Sequence, residues 1–534
     1  MASSAPTIPS SQAAPRRPHS HETKRGIILL FVGLMLSMLL ASLSQTVLSA
    51  ALPTMVGELN GVTEMLWVMT AYILASTIMM PIYGKLGDLI GRKGLLIGAI
   101  LAFMAGSVIG GLSGDMGMLI VGRVVQGLGG GGLIILSQAI IADVIPARER
   151  GKYMGIMGAV FAVSSVAGPL LGGWFTEGIG WRWTFWINLP LGALALVAAF
   201  AFLHIPRYNQ EKPRIDYWGM ALLAAATTCL ILAASWGGND FAWDSPTIVG
   251  LIAGTVIAAI VFVLVERRTA EPIIPLRLFK QRNFNLTTIA GLLTGVAMFG
   301  AIGYLPTYLQ MTFGLDATTA GLLMIPMMGA LLLTSVVTGF LASKYGRYKW
   351  MPISGSLVVA AGLTLLSTMT PQTPLWVYCC YLAVMGMGLG MSMQILVLIV
   401  QNTFHITMVG TATAANNYFR QIGASLGSAI VGSLFATRLT ELLAKQLPAG
   451  GGQAGGIDSL TPGAVLDLPA GIRHIIDQAY NDALTPLFLY MMPLLLIACL
   501  LLCFLKEKAL ATTIERDAVP ESIGEGNLLV TGGK

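Results

Sequence analysis

The sequence predicts an all-α integral membrane protein of fourteen transmembrane helices, built as two six-helix halves with two extra central helices. Three observations carry that prediction: a charge-poor composition, fourteen apolar runs of spanning length, and a motif that recurs once. Of 534 residues 55% are hydrophobic and only 10% charged, and the mean hydropathy is +0.76. So few charges cannot cover a water-soluble surface, which makes the bilayer the expected solvent. About 20 apolar residues cross the roughly 30 Å of hydrocarbon. Runs of that length lie near 26–50, 65–83, 94–112, 118–141, 152–175 and 186–204, which make one half. Two more follow at 218–236 and 247–265, and then six at 285–309, 318–341, 350–368, 375–400, 411–437 and 484–504.

The corresponding division is 1–25 as a disordered cytoplasmic tail, 26–204 and 285–504 as the halves, 205–284 as two linker helices with their loops, and 505–534 as a second tail. The first tail is Ser- and Pro-rich with no apolar core, so it does not read as a secretory signal. Lys and Arg accumulate in loops that stay in the cytoplasm. One set of connections carries Lys85, Arg92, Lys93, Arg148, Arg150, Arg267, Arg268, Lys344 and Arg347, while the opposite set holds only Arg182, Arg438, Lys445 and Arg473. Both termini therefore read as cytoplasmic, in a multi-pass plasma-membrane protein. The net charge of +6 is then a topological signal, and no nucleic-acid partner is expected.

Tryptophans near span ends, with Trp174, Trp181, Trp183 and Trp186 around one outer turn, read as interfacial anchors. The long outer connection at 438–483, with its Gly-rich stretch at 448–456 and a helical stretch expected around Ile472 to Leu484, reads as a linker or a small lid, and says nothing of an accessory partner protein. Met324, Met327, Met328, Met385, Met387, Met391 and Met393 read as ordinary packing or as an adaptable binding surface.

The recurring motif is GKLGDLIGRK at 84–93, echoed by GFLASKYGRYK at 339–349, each ending a second helix and opening a third. The offset exceeds six spans by about what the pair at 218–265 occupies. Repeated halves around a midplane cavity are a plan of secondary transporters. In the first copy Gly84, Gly87 and Gly91 permit a tight turn between close helices, while Asp88, Arg92 and Lys93 place charge at helix ends. The second copy has Ser343 in the place of Asp88. A second stretch, LIVGRVVQGLGGGG at 119–132, sets Arg123 inside the fourth span beside Gln126 and Gly127. A charge at that depth costs at least about 2.5–3.5 kcal/mol, so it must face a cavity or a partner. A third, GAVFAVSSVAGPLLGGW at 158–174, combines Gly158, Gly168, Gly172 and Gly173 with Pro169, which suits a bent, closely packed helix. A fourth, ANNYFRQIGASLGSA at 415–429, places Arg420 within the thirteenth span.

These four stretches, within coverage of about residues 26–504, resemble the major facilitator superfamily, and within it the fourteen-span drug:proton antiporter type of multidrug exporter. The resemblance implies a major facilitator fold, export of small lipophilic substrates, and protons as the coupling ion. It also implies a conformational lock at Gly84, Gly87, Asp88, Gly91, Arg92 and Lys93, with Asp88 docking near a helix terminus of the other half. Arg123, Gln126 and Gly127 are implied in proton transfer, although Arg123 read by itself is equally a structural residue bonded to the first helix. Gly158, Gly168, Pro169, Gly172 and Gly173 correspond to the antiporter motif.

One departure bears on substrate. Many such exporters carry an Asp in the first span, where this chain has Ser44 followed by Gln45 and Thr46; these three and Arg420 are the cavity candidates. With no Asp or Glu well inside any span, neutral, zwitterionic or anionic lipophilic molecules are expected over dications. Lipid or glycolipid export is the alternative, and a non-transporting receptor or scaffold the outside one. The sequence shows no HExxH, no embedded acid pair and no phosphate-binding GxxxxGK[ST], so it is not read as an enzyme or primary pump. No cofactor or metal site is expected from its five scattered histidines.

Overall fold

The structure, a computed structural model, describes residues 24–59, 61, 64–203, 214–238, 240–446 and 469–512. Most of the two tails, the loop at 204–213 and the Gly-rich stretch at 448–456 lie outside the described residues. Fourteen helices are long and apolar enough to span a membrane: α1 (Gly26–Leu59), α2 (Met65–Ile90), α3 (Arg92–Gly111), α4 (Met116–Val144), α5 (Ala147–Glu177), α6 (Trp183–Phe202), α7 (Tyr217–Trp236), α8 (Pro246–Glu266), α9 (Arg282–Phe313), α10 (Thr319–Tyr345), α11 (Trp350–Ser367), α12 (Leu375–Thr403), α13 (Ile406–Lys445) and α14 (Gly471–Cys503). Helices are the form a chain takes when the solvent offers its peptide groups no hydrogen bonds. Among the described residues the one β feature is an isolated bridge between Gly237 and Phe241.

The helix count matches the apolar runs, but several helices overrun them. Pro53 and Pro81 sit inside α1 and α2, and Pro169 inside α5. Proline does break α9 into Arg282–Ile302 and Leu305–Phe313, and α10 near Met324, where Pro306 and Pro326 open the second segments.

Each half has its own core. Leu34, Met38, Phe103, Leu133 and Met157 close the first, and Tyr308, Met327, Leu363, Met385 and Phe488 the second. Met327 and Met385 are fully buried there, so these methionines are packing residues and present no free surface. The linker pair packs outside the bundle. Only 6% of the apolar window of α8 is buried, which makes it a lipid-facing helix. α7 instead runs along the seam between α2 and α13: Trp236 meets Trp67 at 5.8 Å, and Thr227 shares a 2.8 Å hydrogen bond with the Tyr418 hydroxyl. At the outer turn Trp174 and Trp183 are exposed as anchors should be, but Trp181 is not. Its ring is buried and its Nε1 donates to Glu58 at 2.7 Å, beneath the Arg182 guanidinium at 4.2 Å, so this tryptophan pins a loop inside the protein.

Candidate functional site

The two copies of the repeated motif fall at the end of the bundle that carries most of the basic loops. Each copy closes on a glycine with positive φ, Gly91 at 95° and Gly346 at 72°, a conformation that costs other residues. Gly84 lets α2 touch α13: a methyl there would strike Ala414 and sit 2.8 Å from the Gly410 carbonyl. Asp88, one turn on, reaches the N-terminal turn of the long helical segment Val409–Gln446 within α13. Its Oδ1 accepts from Gly410 N at 3.1 Å, and its Oδ2 from Thr411 N and Thr411 Oγ1, both at 2.7 Å. A carboxylate at a helix N-terminus meets unpaired N–H groups and the positive end of the dipole. Arg92 completes the contact, donating to Asp88 and to Asp143 at 2.6 Å each, with all three side chains buried. Lys93 is not part of it, since its Nζ donates to Phe200 O on α6, within the same half.

The second copy does the same job without a carboxylate. Gly339 lets α10 approach the carbonyl of Gly151 on α5, as Gly84 does for α13. Ser343, in the register of Asp88, accepts from Lys152 N at 3.0 Å. Arg148 reaches across from α5 to cap the end of α10, donating to Ser343 O at 2.8 Å and Lys344 O at 2.7 Å. Deeper in, Gln138 of α4 bridges the halves: its carbonyl oxygen Oε1 accepts from Asn417 at 3.0 Å and its backbone O from Gln401 at 3.1 Å. Arg420 is half-buried and donates to Asn417 Oδ1. The hydrogen bonds that join the halves among the described residues thus gather from mid-bundle to the basic end, which is the closed end.

Arg123 forms a separate centre in the first half, about 10 Å below the start of α4 at the rise of a helix. It is fully buried. Its Nε donates to Val68 O at 3.1 Å, and one terminal nitrogen to Gln126 Oε1 at 2.7 Å and Ser44 Oγ at 3.2 Å. The other terminal nitrogen has no partner among the described residues. Tyr72 lies under the guanidinium at 4.2 Å, and Gln126 hands the network on to Ser107 at 2.7 Å. The side chain therefore leans on α1 through Ser44 and on α2 through a carbonyl and a ring, with no carboxylate among its hydrogen-bond partners. Gly127 serves packing, because a methyl there would meet Ala75 and the Tyr72 carbonyl at 2.7 Å each.

A family model described as Major Facilitator Superfamily matches residues 34–428. The chain belongs to that superfamily. It is thus a multi-pass membrane transporter and not an enzyme. An MFS-type transporter of Mycobacterium tuberculosis is 41% identical over 98% of this chain and 75% of its own length. The Multidrug transporter protein MdtP of Bacillus subtilis is 35% identical over 86% of this chain and 83% of its own. Among solved structures, the human organic anion transporter MFSD10 has the same fold, with a TM-score of 0.58 at 16% identity, over 89% of this chain and 99% of that one.

In this superfamily member the remaining sequence-derived residues divide between crossings and open positions. Gly168 receives Thr46 of α1, whose hydroxyl donates to Ser164 O at 2.8 Å, and Gly172 abuts Val47 O. Gly158 faces Ser335 of α10, whereas Gly173 has open space around its Cα. Ser44 and Thr46, expected at a cavity wall, are instead committed to helix contacts: Ser44 is 3% exposed against Arg123, and Thr46 is spent on α5. Gln45 is half-buried. The sequence reading missed Asp143, Gln138, Gln401 and Arg148. Asp143 and Arg148 flank the turn between α4 and α5, at the same end as the first motif, and that placement was the available signal.

Proposed function

We propose that this transporter exports small lipophilic molecules from the cytoplasm by alternating access, in exchange for protons, across a plasma membrane. What supports export is the resemblance of the stretch at 158–174 to the antiporter motif of exporters, and what supports alternating access is that its glycines receive α1 at Gly168 and Gly172 and α10 at Gly158. A single helix packed that tightly against both halves couples the closure of one end to the opening of the other. The name of the relative MdtP, a multidrug transporter, supports drugs as the substrate class.

Placing the basic end in the cytoplasm, as its Lys and Arg content favours, makes the described conformation the outward-facing one. In that reading Asp88 on the N-terminus of α13, with Arg92 and Asp143 behind it, is the lock that holds the cytoplasmic end shut. Ser343 and Arg148 are its carboxylate-free counterpart on α10 and α5. Arg123 is the candidate for proton coupling, since a buried guanidinium with an unpartnered N–H gains from any proton movement that brings an acceptor to it. The deciding experiment is efflux from proteoliposomes under an imposed pH gradient, with a panel of dyes and lipids. Dye efflux that follows the gradient supports exchange; lipid movement alone, or gradient-independent efflux, refutes it.

A further inference from the structure

The two linker helices bring a pair of carboxyl groups into the interior at the basic end. Asp216 begins α7, its Oδ1 accepting from Gly219 N at 2.8 Å, and is 7% exposed. Glu266 ends α8, is 3% exposed, and its Oε1 accepts from Ile273 N at 3.0 Å. The two converge on one point: a methyl on Gly219 would strike Asp216 Oδ2 and lie 3.1 Å from Glu266 Oε1. Asp216 Oδ2 and Glu266 Oε2 have no hydrogen-bond partner among the described residues.

Lys85 of α2 and Glu271 of the following loop are the other charged groups facing this pair. They join each other at 2.6 Å, with Lys85 itself buried. Arg267, Arg268, Arg277 and Lys280 on the same loop are exposed, and Asp88 on α2 is committed to α13. Lys85 is thus committed to Glu271 and reaches Asp216 and Glu266 only through its longer-range positive field, and burial penalises every charge left uncompensated.

The cluster also straddles the moving parts. Ile273, Ile274 and Leu278 pack with Leu223 of α7 against Phe284, Val400, Ala412 and Tyr418 of the second half. The Lys85–Glu271 ion pair ties that same loop to α2 of the first half. When α2 leaves α13, Lys85 leaves with it and the two acids lose its positive field. Two adjacent buried carboxylates without a cation cannot both stay ionised cheaply, so one takes a proton from the aqueous basic face.

We propose that Asp216 and Glu266 form a proton-binding site of the linker helices, filled from the basic face when that end opens and emptied when Lys85 docks. The site rests on the reading of the α2–α13 contact as the lock, and it gives the two extra helices a function. Because the open state has the higher proton affinity, lower pH on the basic face favours opening. One proton changes the open-to-closed ratio by at most about tenfold per pH unit.

The test uses the full chain in lipid nanodiscs, its native cysteines replaced, with spin labels at Ile90→Cys and Arg347→Cys. The distance distribution is recorded across a pH series. The wild type is expected to open as pH falls, and Asp216→Asn with Glu266→Gln to lose that response. Lys85→Met, which removes the cation from the closed state and leaves the open state as it was, should likewise flatten the response. A wild-type response retained by the double variant, or no response in the wild type, overturns the proposal. Should the double variant misfold, Glu266→Gln alone decides, through loss of one protonated-carboxyl band from the infrared pH-difference spectrum; an unchanged band overturns it. Asp88→Asn separates the two readings: it should raise the open fraction at every pH while keeping the pH response. An unchanged open fraction there, beside an intact wild-type response, refutes the lock and leaves the proton site standing.

Discussion

Replacing Asp88 by Asn changes one atom of the closed end and should reset the whole transport cycle. In the described conformation the carboxylate accepts four hydrogen bonds, three of them from Gly410 and Thr411 of the other half and one from Arg92. An amide keeps one acceptor oxygen and turns an NH2 either toward the Thr411 N–H and hydroxyl, or toward Gly410 N–H and Arg92. At least one backbone N–H at the start of α13 then faces a donor. Hydrogen bonds to a charged group contribute about 1.5–3 kcal/mol each. Loss of the charge at a helix N-terminus removes another ~0.3–1 kcal/mol. A net cost near 3 kcal/mol to the closed basic end shifts the open-to-closed ratio by roughly 150-fold. The helix bundles themselves are untouched, so membrane abundance should match the wild type while efflux falls by more than an order of magnitude. The assay pairs efflux from proteoliposomes with accessibility of a cysteine at position 414 to a thiol reagent added on the basic side, in a background without native cysteines. Wild-type efflux by Asp88→Asn, or an unchanged labelling rate at 414, refutes the reasoning.

Gly410→Ala should copy that phenotype with the carboxylate intact, because its methyl would strike Asp88 Oδ1 and sit 3.0 Å from Gly84 O, an overpacking cost of about 1–3 kcal/mol read by the same labelling assay. Arg123→Lys keeps the charge but cannot serve Val68 O, Gln126 and Ser44 together, so pH-driven efflux should fall further than equilibrium ligand binding; equal loss of both would place Arg123 in substrate recognition. Ser44→Asp would set a carboxylate beside Arg123, so it should pair with the guanidinium and lower coupled efflux without creating dication transport, a result checked with a dicationic dye and a neutral analogue of similar size. The unmodified chain should favour the neutral analogue; equal rates would show that a deep carboxylate is not needed for dications.

Helix number was legible because each span announces itself as an apolar run, but helix length was not. The run at 484–504 belongs to α14, which begins at Gly471, and its added turns bury Ile476, Ala479, Tyr480 and Ala483 against Met311, Leu439 and Leu443. A helix that continues past the hydrocarbon needs only one apolar face, so its mean hydropathy falls while its backbone stays helical. At the candidate site, Asp88 stood out because an acid between glycines is unusual in an apolar chain. Its partners did not, since Gly410 and Thr411 carry no charge and contribute mainly backbone N–H groups. Gln138, Gln401 and Asn417 were hidden for a related reason: a single amide carries no charge that must be paired and does not interrupt a long apolar run, and their value appears only when two helices from different halves bring them together. Trp181 was misread because sequence position places a ring near an interface without saying which way it turns.

The comparison of the two motif copies explains where charge is concentrated. Both copies use a glycine to bring helices together and a polar side chain four residues later to meet the partner helix. At the α10–α5 crossing that side chain is the Ser343 hydroxyl, whose bond to Lys152 N does not change with pH over the physiological range. At the α2–α13 crossing it is a carboxylate backed by Arg92 and Asp143, and Lys85 of the same motif reaches Glu271 beside the linker helices. One seam is therefore fixed by a hydroxyl and a permanently charged guanidinium on backbone groups, and the other by carboxylates whose charge balance can be altered. α7 lies along the second seam, touching α2 at Trp67 and α13 at Tyr418. A helix pair added to a twelve-span plan could sit against any lipid-facing surface; lying here, it meets the one crossing whose closure depends on charge, where a change in its own protonation has the greatest leverage on opening.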